Sequence, residues 1–534
     1  MSCLMMILNN KRCDFRGMLK KILVTLIMNF ILSAGIPFTY ANSGGEERSR
    51  EIEKAIFLAS SSQDRVLKIG LVDCILYALK NNSEILIKRV DPKLKEDDIK
   101  IAKADFEPTF DIDFSVDDST EVSSSTLQGA EVYNTQDMDL NAGVSGKLIT
   151  GTKYSIDYYN QRYKSDSAYD IFNPAYSIEP KITITQPLFK GFGIAVNKAD
   201  ITIAQNNKLI SQRSFKDTAI NTVTKAKAAY YDYIFYLENY SLDKLSLERT
   251  LDLLAIDKAR YQKGLISSVD LLETEAAVAN KEKTLLSAEA AVRKAEDELK
   301  LVTNLVDDPE AWNAKIELID KPELKQEEAG LLKSLENAFV FRPDYQSAKT
   351  DLKNREIKIM VAKNSLLPTI DLSGSFGLNG LGKDYYNALQ KVNSNYPDWS
   401  AGLNVSIPWG GGDRAKYDQR KLEKAQALLT FRRLEQNIIL EVRDKVRQVN
   451  VYYRQVQAAQ ISKEKETENY AAQKQRYASG QVSTHDMLDY QDKLSQAELD
   501  YVKAVIDCNL ALINLDKSQG ITLAKNNVKL DTQP

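Results

Sequence analysis

With one histidine and four cysteines in 534 residues, the chain has little material for a histidine-based catalytic centre or a His/Cys metal site. It also lacks a nucleophile–base constellation, so it reads as a non-enzyme without a cofactor. Neither charge dominates: 71 basic residues face 74 acidic ones, net −3, and the basic footprint of a nucleic-acid binder is missing. Beyond the first forty residues no apolar run approaches the roughly 20 residues that a membrane-spanning helix needs. If the mature protein sits in a membrane, it crosses as β-strands, because backbone polar groups in lipid must be paired in helices or closed barrels. Charged residues at 27% and hydrophobic ones at 43% argue against wholesale disorder. The length points to several domains or to one very elongated one.

The N-terminus has the layout of an export signal. Met18-Leu19-Lys20-Lys21 is followed by an apolar run from Ile22 to Leu32 and by Thr39-Tyr40-Ala41, a small-x-small cleavage site. Residues 1–41 are therefore expected to be a signal peptide, with 1–17 an upstream extension. No cysteine stands directly after the apolar run, which argues against a lipid anchor. Removal of the signal leaves Cys74 and Cys508, both at apolar helical positions. An oxidising compartment permits a disulfide between them, but buried small hydrophobes are the favoured reading.

The chain is written twice. Residues 99–116 match 359–376 without a gap, with Ala102, Lys103, Pro108, Thr109, Asp111 and Ser115 recurring as Ala362, Lys363, Pro368, Thr369, Asp371 and Ser375. Tyr261-x-x-Gly264, then Asp270-x-Leu272, recurs as Tyr477-x-x-Gly480, then Asp486-x-Leu488. Between them, the segment from Gln186-Pro187 to Gly193 has its counterpart in Ile407-Pro408-Trp409 to Gly412. The expected organisation is a linker at 42–69, a first repeat at 70–302, a junction at 303–329 with a short strand at Ile316–Ile319, a second repeat at 330–518 and a tail at 519–534.

Glycine and proline are absent from two long stretches, Ile194–Lys263 and Asp413–Ser479. As helices these would each be about 100 Å long at ~1.5 Å per residue. Spacings of three and four place Ile439, Val442, Val446, Val449, Tyr453 and Val456 on one seam. A second seam runs Met487, Tyr490, Leu494, Ala497, Tyr501, Ala504, Cys508, Ala511 and Leu515, and a third runs Leu271, Val278, Leu285, Ala288, Val292, Ala295 and Leu299. A sustained 3.5-residue period calls for coiled-coil packing. Gly264 and Gly480 are where these helices can reverse, with Ser267 or Ser268, and Ser483 or Thr484, placed to cap the returning helix.

The remaining periodicity is two. Phe110, Ile112, Phe114 and Val116 alternate with Asp111, Asp113 and Ser115; Ile182 and Ile184 alternate with Lys181, Thr183 and Thr185; Leu403, Val405 and Ile407 alternate with Gly402, Asn404 and Ser406. One apolar face and one polar face suit a water-filled membrane barrel, and Trp399 and Trp409 bracket the last strand as an aromatic girdle would. An insert at 117–176 carries an extra hairpin, Asp139–Ile149 and Thr152–Tyr159, placed either in the barrel or at its outer mouth. Four strands, or even six, cannot close a membrane barrel, whose minimum is about eight. Several copies are needed, and three copies of four strands would give twelve.

With the signal, the repeat, the Leu-Pro-Thr-x-Asp-Leu strand start, the Gln-Pro-Leu-Phe-x-Gly-x-Gly junction and the Tyr-x-x-Gly turns in view, the chain resembles the TolC-type outer-membrane efflux proteins over residues 70 to about 518. The resemblance implies an α+β membrane protein. Long antiparallel coiled-coil helices form an α-barrel, and transmembrane strands complete a β-barrel in a homotrimer lodged in outer-membrane lipid and extending into the periplasm. It implies a passive duct in a tripartite efflux or type I secretion system, working with a periplasmic adaptor (membrane fusion) protein and an inner-membrane pump or ABC transporter. Carried over by position, Gly264, Leu265 and Gly480 form the adaptor-docking tip. Asp486 and Asp489 line the lumen gate, and Tyr477 and Asp270 belong to its latch. The family's latch arginine is Val482 here. The residues alone leave a second reading open, a coiled-coil structural or adhesive envelope protein that transports nothing.

Overall fold

The computed structural model describes residues 66–122, 132–167, 169–305, 312–320 and 329–530. The expected signal peptide and its cleavage site lie outside the described residues. Contacts divide the chain into two compact units. The smaller, 1–65 with 309–314, is described only at 312–314. The larger, 66–308 with 315–534, holds the long helices and both sheets.

The first half begins with a strand, β1 (Val66–Ile69), so the stretch expected as a linker to residue 69 ends in regular structure. It continues with α1 (Leu71–Asn81), α2 (Ser83–Ala104), β2 (Thr109–Val122), β3 (Val132–Lys147), β4 (Lys153–Ser165), β5 (Ala175–Pro187), α3 (Ile194–Asn197), α4 (Ala199–Gln262) and α5 (Ser268–Val302). The second half comprises β6 (Lys315–Leu318), α6 (Leu331–Phe341), α7 (Pro343–Asn364), β7 (Thr369–Leu378), β8 (Gly380–Gly382), α8 (Tyr385–Gln390), β9 (Pro397–Ser406), α9 (Gly412–Ala478), α10 (Thr484–Gln519) and α11 (Thr522–Lys525). β1 pairs in parallel with β6, the short strand expected one residue later. Among the described residues no helix is long and apolar enough to cross a membrane.

The 64-residue α4 and 67-residue α9 each fold back on a partner, α4 on α5 and α9 on α10. The expected single helix from Ile194 is interrupted at Lys198, where the preceding Asn197 side chain donates to the carbonyls of Gly191 (2.8 Å) and Gly193 (3.0 Å). On α10 seven of the nine expected seam residues, Met487, Leu494, Ala497, Ala504, Cys508, Ala511 and Leu515, are buried, and Tyr490 and Tyr501 are half-buried. The seam on α9 starts one residue earlier than the spacing predicts. Ile438 is fully buried and Ile439 is 41% exposed, because Ile438, Val442, Val446 and Val449 meet Ala511 and Leu515 while Ile439 points away. Cys74 and Cys508 are free and buried, as small hydrophobes rather than a disulfide, and burial pushes the Cys74 thiol up to about 12.

The antiparallel sheet has the order β2-β3-β4-β5-β7-β9, with short β8 paired to β5. The count is therefore six long strands, the larger of the two counts the sequence leaves open, and the extra hairpin is longer than expected and built into the sheet. Toward the helical end of the sheet the register puts one chemistry on each face. Phe110, Val144, Ile156, Ile182, Phe376 and Trp399 lie side by side in one row across all six strands. The adjacent row is Thr109, Ser145, Ser155, Thr183, Ser375 and Ser400, a hydroxyl on every strand, facing the other way. Trp399 is on the apolar face of β9, but Trp409 lies beyond its end, fully exposed in the loop before α9. The two tryptophans thus do not bracket one strand as expected.

Candidate functional site: the two hairpin tips

Each long hairpin reverses through the same local chemistry. Gly264 has φ +70° and Gly480 φ +77°, the left-handed region that costs a residue with a Cβ roughly 1–2 kcal/mol. The N–H of Gly264 donates to the carbonyl of Tyr261 (2.9 Å) and that of Leu265 to Arg260 (2.9 Å); Gly480 and Gln481 bond Tyr477 and Arg476 in the same way, each at 3.0 Å. These paired bonds satisfy carbonyls that a helix end leaves orphaned. Nothing lies within 4 Å of a Cβ built on either glycine, and Leu265 is 68% exposed, so the tip presents open backbone beside bare apolar side chains.

The returning helices start on serine caps. Ser267 Oγ accepts from the Asp270 N–H (3.2 Å) while Asp270 Oδ2 accepts from the Ser267 N–H (3.0 Å), a reciprocal capping box. The Ser267 N–H, and then the Ser267 hydroxyl donating to the same oxygen (2.8 Å), hold the Asp270 carboxyl below the usual carboxylate range. Ser483 Oγ accepts from the Asp486 N–H (3.1 Å) and donates to Asp486 Oδ2 (2.6 Å). One turn on, Asp489 pairs with Lys493 at 2.6 Å. Asp486 and Asp489 are both exposed.

Tyr477 is placed differently from these surface acids. It is 2% exposed, and its hydroxyl donates to Asp257 Oδ1 and lies 3.0 Å from Thr484 Oγ1. Asp257, on α4 of the other hairpin, is fully buried and also accepts from Thr274 Oγ1 (2.7 Å). The Arg260 guanidinium lies over the Tyr477 ring, 4.3 Å from its centroid. Desolvation, then the Asp257 bond, raises the phenol pKa and keeps it a donor. Tyr477 and Asp270 line one groove of about 530 Å³ with Arg260, Leu265 and Val482, yet the tyrosine's partner is Asp257. Val482, where the resemblance leads one to expect an arginine, packs beside the buried Leu253, Tyr477 and Met487.

Further contacts tie the two hairpins together. His485 Nδ1 is 2.7 Å from Glu273 Oε1, and this bond, then the charges of Glu273, Asp486 and Asp489, raises the imidazole pKa. Arg249 grips Glu498 with two bonds of 2.9 and 3.0 Å, and Gln491 Nε2 donates to the Ser246 carbonyl (2.9 Å) and lies 2.6 Å from Thr250 Oγ1. Sequence reasoning missed Asp257 altogether. Its one signal is an acid set four residues before the motif tyrosine, where the second hairpin has Gln473. The tip thus combines a buried interlock with an exposed rim of carboxylates, and no group in it is poised as nucleophile and base.

Comparison with known proteins gives a consistent answer. The chain is 25% identical over 312 residues to nodulation protein T of Rhizobium leguminosarum bv. trifolii, covering 54% of this chain and 62% of that one, less than two thirds of its length. It is 25% identical over 334 residues to outer membrane protein OprJ of Pseudomonas aeruginosa, covering 62% of this chain and 67% of that one. Its fold matches the Campylobacter jejuni CmeC outer membrane channel with a TM-score of 0.63 at 16% identity, over 87% of this chain and 90% of that one. The family model described as outer membrane efflux protein matches residues 75–305 and 335–520, most of the chain, which therefore belongs to the outer membrane efflux protein family.

Proposed function

We propose that the chain is the outer-membrane channel component of a tripartite efflux or type I secretion system. Three copies form a passive duct that carries substrate from an inner-membrane pump or ABC transporter, through a periplasmic adaptor, to the exterior. The observation that carries this reading is the two-faced sheet. A row of six large apolar side chains and an adjacent row of six hydroxyls cross every long strand, so one face suits lipid and the other water. β2 and β9 are the ends of its pairing order, and lipid tolerates no open edge, so the sheet needs further copies to close. The matched turns at Gly264 and Gly480 support a chain of two repeats, 70–302 and 330–518, joined by 303–329.

The exposed glycine turns with Leu265 suit an adaptor hairpin that packs closely against backbone. Asp486 and Asp489, repeated three times around an axis, would ring the lumen and select cations, since hard cations prefer oxygen ligands. Purified protein in planar bilayers tests the function. Discrete single-channel conductance is expected, whereas protein that inserts or binds without conducting would favour the structural or adhesive reading.

A further inference from the structure

The hairpin of β3 and β4 is the part of the sheet whose location the sequence leaves open, in the membrane wall or at the outer mouth. A hairpin decorating the mouth would turn back before reaching the helical end. This one does not. Its Leu148–Thr152 turn sits inside the junction where the sheet meets the long helix: the Gly193 N–H donates to the Thr150 carbonyl (3.1 Å), and Thr152 Oγ1 donates to Gln186 Oε1. Gly151 adopts φ +97°, and a Cβ there would lie 2.9 Å from Asn197 Nδ2 and 3.1 Å from Pro187 Cγ, so the turn is seated tightly. Both strands therefore run from the helical end outward alongside β2 and β5.

Their face chemistry continues that of their neighbours. Val144 on β3 and Ile156 on β4 fill the apolar row between Phe110 and Ile182, and Ser145 and Ser155 fill the hydroxyl row between Thr109 and Thr183. On the hydroxyl side the hairpin adds Asp137, Asp139 and Asp157, each hydrogen-bonded by a neighbouring side chain: Gln161, Ser115 and Ser155. β3 and β4 also stand between β2 and β5, and β2 and β9 are the two edges of the sheet. Because six strands alternate in direction, β2 and β9 run antiparallel, as two edges must if they are to pair between copies.

We propose that β3 and β4 are membrane-wall strands, that β2 of one copy pairs with β9 of the next, and that three copies close an eighteen-strand barrel instead of a twelve-strand one. Barrel diameter grows roughly linearly with strand number, so the bore is about half again as wide, in the range where porins hold an aqueous channel. The proposal rests on the channel reading above.

Nitroxide labels placed in the two rows test it on the full-length protein in lipid bilayers, with trimer mass checked for each variant. Among the described residues the native thiols do not compete, since Cys74 and Cys508 are buried, and Cys3 and Cys13 are replaced by serine in every variant. The variants are Ile156→Cys with Ser155→Cys on β4, Val144→Cys with Ser145→Cys on β3, and Phe376→Cys with Ser375→Cys on β7 as the reference. The readout is the ratio of relaxation by oxygen, which concentrates in lipid, to relaxation by a water-soluble nickel chelate. A ratio severalfold higher at the apolar member of all three pairs is expected. The same contrast on β7 with none on β3 and β4 would overturn the proposal and leave the channel reading standing. No contrast on any pair would remove the membrane barrel itself.

Discussion

Tyr261 and Tyr477 stand at the same place in two versions of one turn, each just before a glycine with positive φ and a serine that caps the returning helix. Yet Tyr261 is 45% exposed and Tyr477 is 2% exposed, bonded to a buried carboxylate on the other hairpin. The glycines and serines do the same work in both turns because they answer a local question, how a helix ends and the next begins. The tyrosines differ because their partners are not local. Asp257 lies on α4, 220 residues before Tyr477, and the corresponding residue of the second hairpin, Gln473, does not anchor Tyr261. A motif repeated in sequence thus fixes backbone geometry in both copies, whereas the motif tyrosine links the two hairpins in one copy only.

That comparison can be broken at the glycines or sharpened at the tyrosines. The largest expected effect is on export: Gly480→Trp should abolish it while leaving the assembly intact, since open space surrounds the residue and the backbone strain is only about 1–2 kcal/mol. Loss of the assembly instead would assign the glycine a purely conformational role. Next come the anchors. Asp257→Ala removes the buried acceptor shared by the hydroxyls of Tyr477 and Thr274, leaving them only Thr484 Oγ1 and the Asp270 carbonyl, and should loosen the tip by about 1–3 kcal/mol. Amide hydrogen exchange across the two turns would read it. Tyr477→Phe should cost about 1–2 kcal/mol and Tyr261→Phe less than about 0.5; equal costs would erase the contrast.

Smaller stability changes but a clear functional one are expected from Asp486→Ala combined with Asp489→Ala. Each acid sits exposed near a helix start, worth about 0.3–1 kcal/mol with the dipole. In bilayers the wild type should be cation-selective and blocked from the periplasmic side by a trivalent hexammine ion, and the double variant should lose that block. An unchanged block would leave these acids as a cap and a surface ion pair.

The smallest effect concerns His485. Its pKa is raised in the fold by Glu273, so the contact's stabilisation is fully present below the ordinary histidine value of about 6.5. It is lost as pH climbs through the raised value. Exchange at the tip should be slower in mild acid than at pH 8.5 after correction for the chemical rate, and His485→Asn should flatten the difference. The pair is exposed and screened by salt, so the change is modest.

Legibility in the sequence divides in the same way between local and distant. Gly264, Gly480, Ser267 and Ser483 announce themselves because a turn needs them where they stand. The seam of α10 was readable because alanine and leucine recur without competition, while on α9 two adjacent isoleucines left the choice between Ile438 and Ile439 to the partner helix. The full length of β3 and β4 was hidden because their outer halves carry polar residues on both faces, Gln136 and Asp137, Asn160 and Gln161. Alternation survives only in the apolar band. Asp257 differs from Gln473 at the matching place, but nothing local marks it: an acid near the end of a 64-residue helix looks solvated until the second hairpin covers it.

The central claim is that this sheet is incomplete in one chain. The mass of the purified, detergent-solubilised protein tests it most directly. Three copies in a stable folded particle are expected, because the β2 and β9 edges have to pair between chains. A stable, folded monomer would contradict the account.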